Sequence, residues 1–156
     1  MLVTAVASRI LCVGIATHDR VWRVERIPLP GEKIRSTSYL EVGGGQAANA
    51  AVTAARLGGE VQLWSVVGDD VAAATILDQL RAERVCVDGV ARVADTRSVT
   101  AAVLVDGAGE RSIIADFDPR LHAAAPSLPL DKIAGVGAVL ADVKWAAGAT
   151  QALTEA

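Results

Sequence analysis

Residues 43–58 read GGGQAANAAVTAARLG, and this stretch decides the fold of the chain. Four of its alanines, beginning at Ala47, fall at i, i+3, i+4 and i+7, the spacing that puts side chains on one face of an α-helix. Three glycines precede this pattern, and Gly58 follows it at a position where glycine commonly ends a helix. The stretch therefore predicts a turn of bare backbone and then a helix that packs through an alanine face.

Continuous apolar runs stand on both sides of this helix, at residues 10–16 and 61–67. Runs of this kind are typical of strands buried on both faces of a parallel sheet. A second helical pattern opens after Gly68, with Asp69 as its predicted N-cap, and a short strand is expected at residues 85–87. This alternation of strands and helices predicts an α/β fold, in which helices flank a mostly parallel sheet.

Two further pairs of β-like segments lie outside this alternation. They fall at about residues 20–42 and 97–116; Pro28, Pro30 and Gly31 divide the first pair, and a glycine-rich loop at residues 106–109 divides the second. We expect them to join in a small β-sheet beside the main sheet. Residues 1–9 are assigned to an N-terminal extension, and residues 10–156 to a partial α/β domain that contains this small sheet.

The composition limits the kinds of partner that the chain is expected to bind. A hydrophobic content of 52% argues for a well-buried core, and a net charge of −3 gives no electrostatic footprint for nucleic acid or an anionic membrane. Cys12 and Cys86 stand far apart and outside any CxxC spacing, so neither a metal site nor a disulfide framework is expected. With no signal peptide or membrane span in the sequence, we expect a reduced, cytoplasmic setting.

Polar residues follow three of the predicted strands, where ligands of an open parallel sheet collect. Asp19 offers a carboxylate that can accept hydroxyl donors, although a solvated loop aspartate would look the same. The triglycine turn can bring bare backbone close to a ligand, or simply connect a strand to a helix. Asn49, in the first helical turn, can both donate and accept hydrogen bonds. Asp142 and Lys144 follow the apolar run that ends at Ala141.

The remaining motifs do not indicate a nucleotide site, a metal site or a catalytic histidine. The spacing of the glycines does not meet the GxGxxG dinucleotide pattern, and the sequence has no Walker A motif. Helix capping explains Asp69 beside Asp70 better than a metal site does. His18 and His122 have no partner visible in the sequence, so a solvated or packing role is expected for both.

The residues from Gly44 to Ala51, followed by Gly58 and Gly68 at spacings of six and nine residues, satisfy the first signature pattern of the ribokinase-like (PfkB) carbohydrate kinases. The chain resembles this family from about Ile10 to its end. Residues 41–45, 109–111 and 140–145 look closest to the sulfofructose kinase branch.

This resemblance implies an ATP-dependent sugar kinase, in which the γ-phosphoryl group of ATP passes to a primary sugar hydroxyl with the help of Mg²⁺. The family's base and anion hole belong to a GAGD motif in the C-terminal half, and no such motif occurs here. The resemblance therefore implies that this chain holds the sugar-binding part, with the C-terminal half, the catalytic residues and most of the ATP and Mg²⁺ contacts missing.

The resemblance also assigns the site residues. Asp19, Gly44, Gly45 and Asn49 would bind sugar hydroxyls, and the small sheet would act as a lid. Asp142 belongs to the predicted substrate site, while Lys33 and Lys144 fall where the sulfofructose branch places cationic contacts to a sulfonate. Lys144 stands where that branch has arginine, and a lysine lacks the bidentate fork of a guanidinium.

The function expected from these observations is the sugar-binding part of a carbohydrate kinase, inactive alone and paired with a second copy through the lid. Two alternatives of other kinds are a non-catalytic dimerisation module or truncated fragment, and a Rossmann domain that would bind NAD. Within the family, a nucleoside kinase competes with a sugar kinase.

Overall fold

The computed structural model describes residues 9–156. Of the predicted extension, residues 1–8 lie outside this range, and Arg9 already begins the first strand. Eight strands and four α-helices follow along the described residues: β1 (Arg9–Val13), β2 (Thr17–Arg23), β3 (Ser38–Gly44), α1 (Gln46–Arg56), β4 (Glu60–Val67), α2 (Val71–Ala82), β5 (Cys86–Arg92), β6 (Thr100–Val105), β7 (Arg111–Asp116), α3 (Pro119–Ala123), β8 (Val136–Ala141) and α4 (Ala146–Glu155). A short 3₁₀ helix, Leu130–Ile133, precedes β8.

The main sheet is parallel throughout, in the order β5-β4-β1-β8. β1 lies near its centre, so that Val13 pairs with Trp64 on one side and Ala141 on the other. Apolar side chains cover both faces, as the continuous apolar runs predicted. The α/β prediction is confirmed.

Helices α1 and α2 pack on one face of this sheet, and α4 packs on the other together with the segment around α3. The first core joins the alanines of α1 to Leu63 and to Ile76 of α2. The second core contains Leu11, Trp64 and Trp145. Trp64 and Trp145 are fully buried, so the two largest side chains of the core lie on the face opposite α1.

The alanine face of α1 is confirmed, but the most deeply buried alanines are not all those of the predicted spacing. The fully packed side is Ala47, Ala48, Ala51 and Ala55, whereas Ala50 and Ala54 are only partly buried against the same core. Methyl side chains let the helix approach the sheet closely, since no bulkier group separates the two backbones. At the predicted glycine stop, Gly58 has φ +94° and its N–H donates to Ala55 O at 3.0 Å, which closes the helix.

The small sheet, which we call the lid sheet, has the order β3-β2-β6-β7. Two antiparallel pairs, β2 with β3 and β6 with β7, are joined by a parallel pairing of β2 with β6. This confirms that the two predicted pairs share one sheet. The first pair is displaced from the prediction, however, because Thr17 and Asp19 are strand residues and not loop residues.

The N-cap of α2 was assigned wrongly to Asp69. The cap is Asp70, whose Oδ1 accepts the Ala73 N–H at 2.9 Å. Asp69 instead donates its own backbone N–H to Thr96 O at 3.1 Å. Two adjacent aspartates offer the same capping chemistry, so the sequence alone could not separate them. No helix in residues 9–156 is both long enough and apolar enough to cross a membrane.

Candidate functional site

Asp19 and Gly44 lie side by side on the neighbouring strands β2 and β3. Thr17 pairs with Gly44 and Asp19 pairs with Val42, so Thr17, Asp19, Val42 and Gly44 point to one face of the lid sheet. The Thr17 hydroxyl donates to Asp19 Oδ1 at 2.7 Å. A Cβ at position 44 would lie 2.3 Å from Asp19 Oδ2. The half-buried carboxylate therefore occupies space that only a glycine leaves, and its remaining lone pairs can accept hydroxyl donors.

The triglycine turn presses its backbone against the segment that connects β1 to β2. Gly45 has φ +96°, a conformation that favours glycine, and a Cβ there would lie 2.1 Å from Ile15 O. Gly45 also stands at the N-cap of α1, and its carbonyl accepts the Asn49 N–H at 2.9 Å. Both the backbone conformation and the close approach thus require glycine at position 45.

Asn49 is exposed and lines a cavity of about 530 Å³ bounded by α1, α2 and the end of β3. Gly44 and Thr17 line the same cavity. These two residues also contact Asp19, which is not itself part of the lining. The structure therefore connects Asp19 to Asn49 through Gly44 and Thr17, as two polar groups on either side of the glycine turn.

Asp142 follows β8 and reaches across to the same turn. Its Oδ2 accepts the N–H groups of Ile15 at 3.0 Å and Ala47 at 3.2 Å, and its Oδ1 accepts the N–H of Lys144 at 2.8 Å. All three donors are main-chain amides. Because Ala47 is in the first turn of α1, the carboxylate of Asp142 caps this helix from a distant part of the chain.

Lys33 and Lys144 are both exposed, Lys33 in the loop between β2 and β3 and Lys144 directly after β8. Within residues 9–156, no hydrogen bond or ion pair joins either ammonium group to Asp19, Asn49 or Asp142. The structure thus gathers the glycines, Asp19, Asn49 and Asp142 around one turn.

Sequence reasoning missed Thr17 and the arrangement around His18. His18 is 3% exposed and points to the face of the lid sheet opposite Asp19, where its Nε2 lies 3.3 Å from Glu41 Oε2. The packing role expected for His18 agrees with this burial. His122 stacks on Phe117 with ring centroids 5.0 Å apart, so it also packs. The alternation of side chains along a strand, started at Thr17, could have put Thr17 and Asp19 on one face and His18 on the other.

The polar groups behind the lid sheet form a charged network of their own. Glu41 accepts a hydrogen bond from the Tyr39 hydroxyl. This bond, together with the nearby His18 and Arg20, holds the pKa of Glu41 below its ordinary value, although partial desolvation opposes the change. No group of three or more His, Cys, Asp or Glu side chains within residues 9–156 is arranged to hold a metal ion.

Comparison with known proteins shows which family and which known structures the chain is similar to. Residues 7–135 match the family described as pfkB family carbohydrate kinase. The ribokinase of Bacillus subtilis is 39% identical over 107 residues, which are 68% of this chain and 36% of the relative. A crystal structure from Agrobacterium tumefaciens, assigned to the ribokinases, superimposes with a TM-score of 0.91 at 34% identity and covers 96% of this chain and 49% of that one.

A ribokinase from Cryptococcus neoformans, solved in complex with ADP, gives a TM-score of 0.64 at 28% identity, over 88% of this chain and 41% of that protein. In all three comparisons this chain spans less than half of the length of the protein it matches. The superposition on the Agrobacterium tumefaciens structure covers 96% of this chain and so includes nearly all of the main sheet and the lid sheet.

Proposed function

This chain belongs to the pfkB family of carbohydrate kinases, and we propose that it is the sugar-binding part of an ATP-dependent kinase that phosphorylates a primary hydroxyl of a sugar. The observation that carries the proposal is the contact between Asp19 and Gly44. It leaves a carboxylate beside bare backbone at the rim of a cavity that Asn49 lines. A polyol with several hydroxyls needs this mixture of acceptors and donors.

Each residue of the candidate sugar site has a defined role in this proposal. Asp19 accepts hydrogen bonds from sugar hydroxyls, while the backbone of Gly44 and Gly45 lets the sugar approach without a side chain in between. The Asn49 amide donates to one sugar oxygen and accepts from another hydroxyl. Together these contacts orient the sugar. Orientation raises the rate of phosphoryl transfer because the reacting hydroxyl is held in one geometry.

ATP with Mg²⁺ would supply the transferred phosphoryl group and neutralise its charge, but residues 9–156 do not fit a phosphate site. The glycine-rich start of α1 is the natural place for an anion. There the Asp142 carboxylate already accepts the Ala47 N–H and would repel a phosphate. The same contact argues against the Rossmann alternative, in which a pyrophosphate would occupy this helix terminus. We therefore assign the nucleotide to residues that this chain does not contain.

The substrate we favour is a neutral pentose or hexose, because the Bacillus subtilis relative, which is 39% identical over 107 residues, and the superimposed Agrobacterium tumefaciens protein are both named ribokinases. A sulfosugar would require Lys33 and Lys144 to converge on its anionic group. Both lysines are exposed and can move toward a ligand, so they are proposed as secondary contacts. A nucleoside remains the main alternative within the family.

The lid sheet carries an apolar surface on the same face as Asp19. Leu40, Val21, Val103 and Ile113 lie in a row of cross-strand neighbours, and Ile113 is 57% exposed. We propose that this face covers the bound sugar, excludes water from the transferring group, and pairs with the same face of a second copy. The setting that we propose is cytoplasmic.

The test is sugar binding to the 156-residue chain by calorimetry, with D-ribose as the first probe and fructose and adenosine as comparisons. Asp19→Ala should weaken binding at least tenfold, since it removes the hydroxyl acceptor. Asp88→Asn is the matched control, because Asp88 is an exposed carboxylate on β5 whose one ion pair within the described residues is with Lys132 at 3.7 Å. The wild-type chain should transfer no phosphate from ATP in a coupled assay.

Two results would contradict the proposal. Equal sugar affinities of the wild-type and Asp19→Ala chains would remove Asp19 from the site. Turnover by the chain alone would show that its residues include a complete catalytic apparatus. If no sugar binds and the chain is a stable dimer, the non-catalytic dimerisation module becomes the better account.

A further inference from the structure

We propose that Asp142 is a positioning residue, which holds the two halves of the sugar site at a fixed separation without contacting the sugar. The inference rests on the proposed function, because it concerns the same turn. It differs from the sequence prediction of Asp142 as a direct sugar contact. The reason is that, among residues 9–156, every hydrogen bond that the carboxylate makes comes from a main-chain N–H: those of Ile15, Ala47 and Lys144.

The three donors belong to three separate segments of the chain. Ile15 lies in the connection that leads from β1 into β2, the strand that carries Asp19. Ala47 lies in the first turn of α1, the helix that carries Asn49. Ile15 is 127 residues and Ala47 is 95 residues from Asp142 in sequence. One carboxylate oxygen, Oδ2, accepts both N–H groups, so it sets the distance between the segments that carry the two proposed sugar ligands.

The surroundings of Asp142 are built to admit its side chain. A Cβ at position 14 would lie 2.1 Å from Asp142 Oδ2, so the carboxylate fills the space beside Gly14. The backbone holds Asp142 in place as well, because its N–H donates to Val13 O at 2.9 Å. The Asp142 side chain therefore lies so close to position 14 that it leaves room only for glycine.

Charge favours the same arrangement. The N-terminus of a helix carries partial positive charge from its unpaired N–H groups, and a carboxylate placed there is stabilised. α1 has no acidic residue in its first turn and no side-chain cap of its own, because its N-cap is Gly45. Asp142 supplies the missing cap from β8. Any movement of β8 relative to β1 is therefore transmitted to the start of α1 and to Asn49.

The experiment compares Asp142→Ala and Asp142→Asn with Asp70→Ala in the 156-residue chain. Asp70 is a matched control, since its carboxylate also accepts three hydrogen bonds, from Ala73 N, Ser98 N and Ser98 Oγ, but at the start of α2. Two quantities are measured: amide hydrogen exchange at Ile15 and Ala47, and the affinity for D-ribose and for a panel of its deoxy analogues.

For Asp142→Ala we expect exchange at Ile15 and Ala47 to accelerate at least tenfold and ribose affinity to fall at least tenfold. The loss should be the same factor for every deoxy analogue, because a displaced site weakens all contacts together. Asp142→Asn keeps one acceptor oxygen and should recover part of both effects. Asp70→Ala should accelerate exchange at Ile15 and Ala47 by no more than the factor set by its loss of global stability, and it should leave ribose affinity unchanged.

Three outcomes would overturn the proposal. The first is faster exchange at Ile15 and Ala47 with unchanged ribose affinity. The second is a loss of affinity that disappears for one deoxy analogue, which would make Asp142 a direct ligand of the missing hydroxyl. The third is exchange that does not change in either Asp142 variant. If the wild-type chain binds no sugar, the proposed function fails. The exchange data alone then support or contradict the role of Asp142 in holding Ile15 and Ala47 together.

Discussion

Asp19 and Gly44 are packed so closely that a methyl group at position 44 would lie 2.3 Å from the Asp19 carboxylate and 2.4 Å from the Thr17 hydroxyl. The requirement for glycine here comes from the neighbouring side chains, since the backbone at Gly44 does not have a positive φ. A substitution at this position therefore acts on the carboxylate that the proposed site depends on. This makes Gly44 a probe of the site as well as of the fold.

Gly44→Ala should lower sugar affinity at least tenfold, because the new methyl group displaces Asp19 and Thr17. Overpacking of this kind costs typically about 1–3 kcal/mol of stability. Gly107→Ala is the control, since a Cβ there meets only Glu25 O at 3.5 Å and should change neither property. Calorimetry with D-ribose and urea unfolding of both variants provide the measurements. Unchanged affinity in Gly44→Ala would contradict the proposed arrangement.

Most of the fold could be predicted from the sequence, because the relevant signals are local. The alanine spacing in α1, the apolar runs of β1 and β4, and the glycine after α1 each reflect the geometry of one element. The boundaries were less certain. β1 ends at Val13, earlier than its apolar run suggests, because the chain turns at Gly14 toward the lid sheet.

The site could be predicted only in part, because its decisive contacts are long-range. Asp19, the glycines and Asn49 were identified from residue type and resemblance. The contacts of Asp142 with the amides of Ile15 and Ala47, and the space beside Gly14, join residues that are more than 90 positions apart, and no local pattern reports them. The burial of His18 likewise depends on α2, which packs against β2 and β3.

The Asp70 carboxylate should make the stability of the chain sensitive to acid. Burial opposes its ionisation, but hydrogen bonds from Ser98 and Ala73 outweigh this effect and hold the pKa of Asp70 below its ordinary value. A lowered pKa in the folded state adds stability above about pH 4, and this contribution is lost as the pH falls through the folded pKa. Asp70→Asn keeps a capping oxygen without the charge.

The free energies of unfolding of the wild-type and Asp70→Asn chains should therefore differ most at neutral pH and converge as the pH falls below about 4. Urea unfolding at a series of pH values measures this difference. Asp78→Asn, which removes an exposed carboxylate on α2, is the control and should run parallel to the wild type. A difference that grows toward low pH would show the opposite sign and contradict the assignment.

The two cysteines should differ sharply in reactivity. Burial raises the pKa of the Cys12 thiol to about 11, and its side chain is inaccessible in β1, whereas Cys86 is exposed. Thiolate is the reactive form, so a disulfide reagent at pH 8 should modify one thiol per folded chain and two after denaturation. Cys86→Ser should abolish the fast reaction. Rapid modification of both thiols in the folded chain would contradict the burial of Cys12.

Gly89 in β5 should tolerate no side chain. A Cβ there would lie 2.0 Å from Cδ1 of Trp64, and Trp64 is fully buried and cannot move without disturbing the second core. Gly89→Ala should therefore cost about 1–3 kcal/mol, measured by urea unfolding with tryptophan fluorescence. Gly107→Ala again serves as the control. Because Gly89 lies in the edge strand β5, two strands away from β1 in the main sheet, equal sugar affinity is expected in the folded fraction.

The parallel pairing of β2 with β6 imposes an order on events during synthesis. β2 and β3 leave the ribosome early as a two-stranded ribbon, which is marginal in water, and β2 keeps an unpaired edge until β6 emerges. At about 5–20 residues per second, the delay between His18 and its partner Thr100 lasts roughly 4–16 s. Throughout that interval the nascent chain presents a strand edge to its neighbours on a polysome, so chaperone occupancy should peak before β6 emerges.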